Sequence, residues 1–448
     1  MKRASTMVLI ACAVTARAYT VSGNTYLTNG SAGDVQSAIN AASDGAIIEI
    51  RKGSYHWSKQ VTNRKNTAVH IIAESLGDVT IERDFRAGNM LVLNGSPNGN
   101  VELGGIHFKS DINGDRDHYT FTLQVNQLVP GCLPVLVHDC SFITGYEYAI
   151  HFYGNGGLVW NCSFATHSDA LGGITFVNTS TTCAPWNQPD TLGGSPTAYG
   201  TGDPTGTLNT YVESCYFRDG WVAMSNFDDN SRVVWRYNEM YNAACTSHGQ
   251  ETSIWGTREW EVYGCTFTYT TTGRAFGGNR YPLNLNYWFE CRGGTGVVTN
   301  NAMDDIPDKS GVQLNVFSIN RKDSIPCQTA YPAARQTGQG WSVSSTDTYG
   351  TPVVTKDGTG DLTDPLYVWD NTGTETTDPH YVFLNQFEPD ECGNGEKIRT
   401  FLQAGRDYFV NVAMPQWTPY TYPHPLRSKA LGPSGSGPLP LKGKEDAE

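Results

Sequence analysis

The chain has 448 residues, 39% of them hydrophobic and 17% charged, and a formal net charge of −13. That acidic balance argues against nucleic acid or an anionic membrane surface as a partner. No apolar stretch is long enough to cross a bilayer as a helix, so membrane insertion is not expected.

Lys2 and Arg3 lead an apolar run over residues 7–14, and Ala16-Arg17-Ala18 is a small-x-small cleavage site. This is the arrangement of an export signal over residues 1–18. Its removal takes three cations, Lys2, Arg3 and Arg17, and moves the charge from −13 to −16. The mature protein is therefore expected to be secreted or periplasmic. Over residues 31–43, Val35, Ala38, Ile39 and Ala42 recur at helical spacing, with Asp34 placed as the N-cap. A strand over 45–50 and the turn Lys52-Gly53-Ser54-Tyr55 follow.

Further along, one short signature keeps returning. It reads Asp139-Cys140-Ser141-Phe142, Asn161-Cys162-Ser163-Phe164, Ser214-Cys215-Tyr216-Phe217 and Tyr237-Asn238-Glu239-Met240. It returns as Gly264-Cys265-Thr266-Phe267 and Asn300-Asn301-Ala302-Met303, with a degenerate first copy at Gly105-Ile106-His107-Phe108. The key positions lie 34, 22, 53, 23, 27 and 36 residues apart. A minimum near 22 with larger values describes a solenoid in which some coils carry inserted loops. Glycine, threonine, asparagine, valine and aromatic residues dominate, as in all-β proteins.

The leading helix would cover the open end of such a solenoid. Insertions at 165–210 and 304–364 are expected to wall a groove on its flank. One domain spans 19–427, and the Gly-, Pro- and charge-rich tail 428–448 is expected to be disordered. Of the ten cysteines left after the signal, Cys140, Cys162, Cys215 and Cys265 should stack inside as thiols. Cys132, Cys183, Cys245, Cys291, Cys327 and Cys392 are the candidates for disulfides.

The Ala-rich helix 31–43 and the Ile-x-Ile strand with its Gly-x-Tyr turn resemble the opening of right-handed parallel β-helix proteins of the pectate lyase-like superfamily. Residues 258–267, 292–298 and 419–426 are similar to segments of secreted bacterial β-helix proteins, mostly of unassigned activity. The resemblance implies an all-β, right-handed parallel β-helix of three sheets with an N-terminal capping helix and long loop insertions.

Coil register serves as a ruler for the flank. Nine residues before each rung stand Tyr153, Gly206, Asp229, Gly256 and Arg292; seven before stand Asn155, Leu208, Ser231, Arg258 and Gly294. Equivalent positions stack about 4.8 Å apart, which would gather Asp229, Arg258 and Arg292 into one patch. The position three before each rung, Val159, Val212, Trp235, Val262 and Val298, reads as core.

His248 and Glu251 follow in an exposed stretch, beside Asp228, Trp255, Arg280, Tyr281, Trp288 and Glu290 as groove-lining residues. The order Asp-Asp, His-Gly, Arg280 loosely resembles polygalacturonase-like hydrolases. Their Asn-Thr-Asp motif is reduced here to Asn209-Thr210-Tyr211, so that mechanism is not carried over.

A lyase acting on an acidic polysaccharide must neutralise a carboxylate, remove the proton α to it and protonate the leaving oxygen. Arg258, Arg292, His248 and Arg280 suit the first two tasks, and a tyrosine or Glu251 the third. A hydrolase instead needs two carboxylates about 5–9.5 Å apart, which Asp229 with Glu251 or Glu290 would supply. The cations beside the acids favour elimination. A non-catalytic glycan-binding adhesin or spike is the third reading. Asp111, Asn113, Asp115 and Asp117 alternate like calcium ligands, the only cofactor the sequence offers. Arg116 and Thr122 replace the glycine and glutamate of a calcium-binding loop, so a solvated turn is the preferred reading.

Overall fold

The residue before each rung decides the path of the chain. Asp139, Asn161, Ser214, Tyr237, Asn300 and Asp370 take φ between 48° and 54°, and Gly105 and Gly264 take 80° and 66°. A single left-handed residue turns the backbone sharply between two strands, and Asn, Asp and Gly accept it at least cost. On one side of this turn a strand of sheet A ends, as at Val135–His138; on the other a strand of sheet B begins, as at Ser141–Thr144. The chain continues into sheet C, at Ile150–Tyr153, and returns to sheet A.

The computed structural model describes residues 19–63, 67–85, 88–110, 121–128, 130–145, 148–166, 171–177, 191–195, 202–219, 223–228, 230–247, 257–269, 287–304, 306, 314–316, 337–342, 361–373, 382–383 and 402–441. Repetition of the coil builds a right-handed parallel β-helix with sheets of 13, ten and ten strands. A two-stranded antiparallel ribbon, Gln339–Ser342 with Asp361–Thr363, lies in the second insertion.

The registers bear out the ladder. Phe108, Phe142, Phe164, Phe217, Met240, Phe267 and Met303 pair in sequence across sheet B. Their rings stack at 5.3, 5.1 and 4.6 Å between centroids from Phe108 to Phe217. Val137, Val159, Val212, Trp235, Val262 and Val298 form the matching buried column of sheet A.

Where the rung residue is asparagine, its amide ties two coils. Asn238 accepts from the Cys215 N–H at 2.9 Å and donates to the Val212 carbonyl at 3.0 Å. Asn301 does the same with Cys265 and Val262, and Asn371 donates to the Val298 carbonyl. Asn371 is thus a further rung, hidden in the sequence because Gly373 stands where Phe or Met is expected.

Cys140, Cys162, Cys215 and Cys265 are buried thiols, and burial pushes the Cys162 thiol well up. A thiol reagent added to the native protein should therefore leave these four unmodified until the chain is unfolded. Rapid native labelling, read by peptide mapping, would contradict the packed column. Cys245 and Cys291, expected in disulfides, are instead unbridged thiols inside the core, because both occupy inward positions on strands of sheet C. Cys183, Cys327 and Cys392 lie outside the described residues.

The helix Ala32–Ala41 forms as expected, but Ser31 rather than Asp34 is its N-cap, accepting from the Asp34 N–H. Asp34 sits in the first turn, where its carboxylate accepts from Asn29 at 2.7 Å. Val35, Ala38 and Ile39 face the core and close the end of the solenoid.

The tail also departs from expectation. Residues 428–441 are ordered along the outer face of sheet A, after the short 3-10 helix Pro425–Lys429. The Leu431 and Gly432 N–H groups donate to Glu102, and Gly435 donates to Asp139 at 2.8 Å. A segment too polar to bury a core of its own is held here by carboxylates waiting on the sheet. Residues 191–195 of the first insertion cover the same face. Thr191 and Gly193 donate to Glu259 and Glu261, and Gly194 donates to the Thr418 carbonyl.

Candidate functional site

Sheet C leaves a polar, aromatic face outside. In Leu91–Asn94, Leu123–Asn126 and Ile150–Tyr153, alternate residues Leu91, Leu93, Leu123, Val125, Ile150 and Phe152 are core. The intervening residues point outward, as strand geometry requires. They align as Val92, Gln124 and His151 in one column and Asn94, Asn126 and Tyr153 in the next.

Side-chain amides knit the two columns together. Gln124 donates to Asn126 at 2.7 Å, Asn126 donates to Asn94 at 3.0 Å, and Asn89 donates to Gln124. Phe121 stacks on the His151 ring at 4.2 Å, and Tyr153 packs tilted against the same ring at 4.6 Å. Together with Leu128 these residues line an open groove of about 660 Å³, within the range of sites that hold small ligands. Gly154, at φ 93°, turns the chain away beyond Tyr153, so close to the Gln127 carbonyl that a Cβ would stand 2.3 Å from it.

His151 is 6% exposed, yet among the described residues neither of its ring nitrogens has a hydrogen-bond partner. Burial drives the imidazole down to about 3. It is therefore neutral at ordinary pH, with a free lone pair.

The columns continue past the groove. Gln124, His151, Thr175, Asn226, Thr246 and Glu290 are in register. Extending the paired strands by one residue places Asp228 with Tyr153 and Arg292, one residue short of the nine-residue ruler. Arg292 bonds Glu290 at 2.7 Å, and burial together with that carboxylate pushes the Tyr287 phenol up, against the pull of Arg292.

Arg258 does not join this face. It lies in the turn leading to sheet A, in register with Gly294, and its side chain is fully buried against Asp364 at 3.4 Å and Glu259 at 3.9 Å. The expected patch of one acid and two arginines is therefore not formed: Arg258 serves the packing of a turn and Arg292 faces out of sheet C. Trp288, expected to line the groove, is fully buried; its indole donates to the Asp304 carbonyl at 2.8 Å. Glu259 pairs with Arg232 at 3.0 Å, and buried Glu261 is pushed up to about 8 by desolvation. Asp229, His248, Glu251, Trp255, Arg280 and Tyr281 lie outside the described residues, as do Asp111, Asn113, Asp115 and Asp117. Among the described residues no cluster of His, Cys, Asp and Glu has the shape of a metal site.

Sequence reasoning passed over His151 and the amides beside it. The signal was present in Ile150-His151-Phe152-Tyr153, where apolar and polar residues alternate at strand spacing.

No protein-family model and no curated protein sequence matches the chain. Among solved structures it is similar to an alginate lyase from Paenibacillus sp. str. FPU-7, at 9% identity and a TM-score of 0.46, covering 81% of this chain and 98% of that one. It is also similar to a PL6-family polysaccharide lyase from Pseudopedobacter saltans, at 11% identity and a TM-score of 0.38, covering 93% and 97%. The catalytic domain of a GH87 α-1,3-glucanase matches at 11% identity and a TM-score of 0.27, covering 76% and 63%. The assignment of the fold rests on the strand registers themselves.

Proposed function

We propose that the chain is an exported enzyme that binds an acidic polysaccharide along the outer face of sheet C and cleaves it by β-elimination. The observation that carries this reading is the groove itself, whose amides and aromatic rings suit the hydroxyls and ring faces of sugars. Among the described residues its lining contains no Asp or Glu, the pair on which a hydrolase would rely. Farther along the same face, Asp228, Glu290 and Arg292 extend the contact surface for a longer chain. On the opposite course, sheet A is occupied by the chain's own C-terminal segment.

The purified protein should be incubated with polyuronates and with neutral glucans, following the ultraviolet absorbance of unsaturated ends together with reducing ends. Unsaturated ends from a polyuronate are expected. Reducing ends alone would replace elimination by hydrolysis, and binding without either product would make the protein an adhesin.

A further inference from the structure

We propose that the reaction centre is the groove around His151: this imidazole removes the C5 proton of a uronate ring, Tyr153 protonates the departing C4 oxygen, and the amides of Asn89, Gln124 and Asn126 hold the carboxylate. The proposal rests on the lyase reading above and adds its site and its stereochemistry.

A buried polar atom without a partner costs about 1–3 kcal/mol, and His151 has two such atoms. Folding retains that cost in a residue that lines an open groove. The rings of Phe121 and Tyr153 pack against the imidazole and restrain its plane. Burial keeps it uncharged, and among the described residues no charged side chain lines the groove. An anionic sugar seated against the ring offsets that burial and raises the basicity of the imidazole as the substrate arrives.

The amides are arranged for an anion. Each side-chain NH2 carries two hydrogens. The bonds from Asn89 to Gln124, from Gln124 to Asn126 and from Asn126 to Asn94 use one apiece. Each amide thus keeps a second hydrogen, and all three side chains line the groove, where they can meet both oxygens of a carboxylate and the charge that builds on it.

The chemistry balances without a further reactant. The imidazole nitrogen bonds the C5 hydrogen, and the C–H electron pair becomes the C4=C5 double bond. The C4–O pair leaves with the oxygen, which takes the phenolic proton. His151 then returns its proton through water to the Tyr153 oxygen. The products are an unsaturated uronate end and a new hydroxyl end.

His151 and Tyr153 are two residues apart on one strand, so they project from the same side. Base and acid thus approach one face of the sugar. That arrangement suits uronates whose C5 hydrogen and C4 oxygen share a face, as in mannuronate and glucuronate. It disfavours galacturonate and guluronate, in which they are opposed.

The test compares wild type, Tyr153→Phe and His151→Gln on polymannuronate and polygalacturonate in deuterated water. Unsaturated ends are read by absorbance, deuterium at C5 by NMR, and folding by circular dichroism. Wild type should cut polymannuronate faster. Tyr153→Phe should lose roughly a hundredfold or more of turnover while C5 exchange continues, and His151→Gln should lose both. Because Tyr153→Phe removes one oxygen from a half-buried side chain, it remains decisive even where His151→Gln unfolds. Faster cleavage of polygalacturonate, or turnover by either folded variant within about twofold of wild type, overturns the site while leaving the lyase reading intact. A wild type that produces no unsaturated ends from any polyuronate overturns both.

Discussion

Replacing Glu102 by alanine should destabilise the protein by about 3–5 kcal/mol and release the C-terminal segment from sheet A. The Glu102 carboxylate is fully buried and accepts from His70 at 2.6 Å, His138 at 2.9 Å, Leu431 at 3.0 Å and Gly432 at 2.6 Å. Removing it strands four donors at once. His138 can shed a proton where an arginine could not, which keeps the loss toward the lower end of that range. Denaturant unfolding, with proteolysis beyond residue 427 as the local readout, measures both effects. A variant that loses less than about 1 kcal/mol and keeps its tail protected would show that the carboxylate is not the anchor.

The same cluster sets a pH window. Burial alone would raise the Glu102 carboxyl, but the bonds from His138, His70, Leu431 and Gly432 outweigh it and hold it at about 2, against an ordinary 4.5. Its contribution is therefore complete above about 4.5 and is lost as pH falls toward 2. Burial alone would lower His138, but its bonds to Asp139 and Glu102 push it up from 6.5 to about 9. That contribution is complete below about 6.5 and is lost as pH rises through 9. The segment should be held most firmly between about 4.5 and 6.5, and proteolysis of the tail should accelerate on either side. In Glu102→Ala the alkaline limb should shrink, because His138 loses one of its two carboxylate partners.

The second large effect is expected inside the solenoid. Asn301→Cys installs the residue found at four other rungs, with similar volume and none of the amide bonds. It leaves the Cys265 N–H and the Val262 carbonyl, served at 2.9 and 3.0 Å, without those partners. It also removes the bond to Asn371 at 2.9 Å. The cost should be about 2–5 kcal/mol in denaturant unfolding, the penalty for leaving buried backbone groups unmet. Cys162→Ala, which deletes only a packed thiol, should cost clearly less. Equal losses in the two variants would mean that asparagine rungs act by filling space rather than by bonding.

These residues mark how far the primary structure could be read. The rung is legible because its Phe or Met must face the core in every coil, so an unrelated loop of any length leaves the signature intact. Asn371 escaped notice only because Gly373 carries no ring. The flank was harder. Counting from a rung works across the short turn into sheet A, where one left-handed residue fixes the length, and the column from Val159 to Val298 came out as expected. It slips across the longer connection from sheet C, where one residue moves a side chain to the other face. Asp228 holds the place in its column for that reason, and Arg258 turns out to be buried beside Asp364.

What the amino-acid order determined alone was the repeating strand unit, the capping helix and the all-β class, since each depends on local periodicity and on one turn geometry. Only the folded chain decided what covers each sheet. Glu102, Glu213 and Asp139 look like ordinary surface acids until residues 424–435, hundreds of positions away, bring their N–H groups to them. His151 likewise gains its meaning from Phe121 and Gln124 on the preceding coil. Burial and the absence of a partner are properties of that assembly, and no local pattern encodes them.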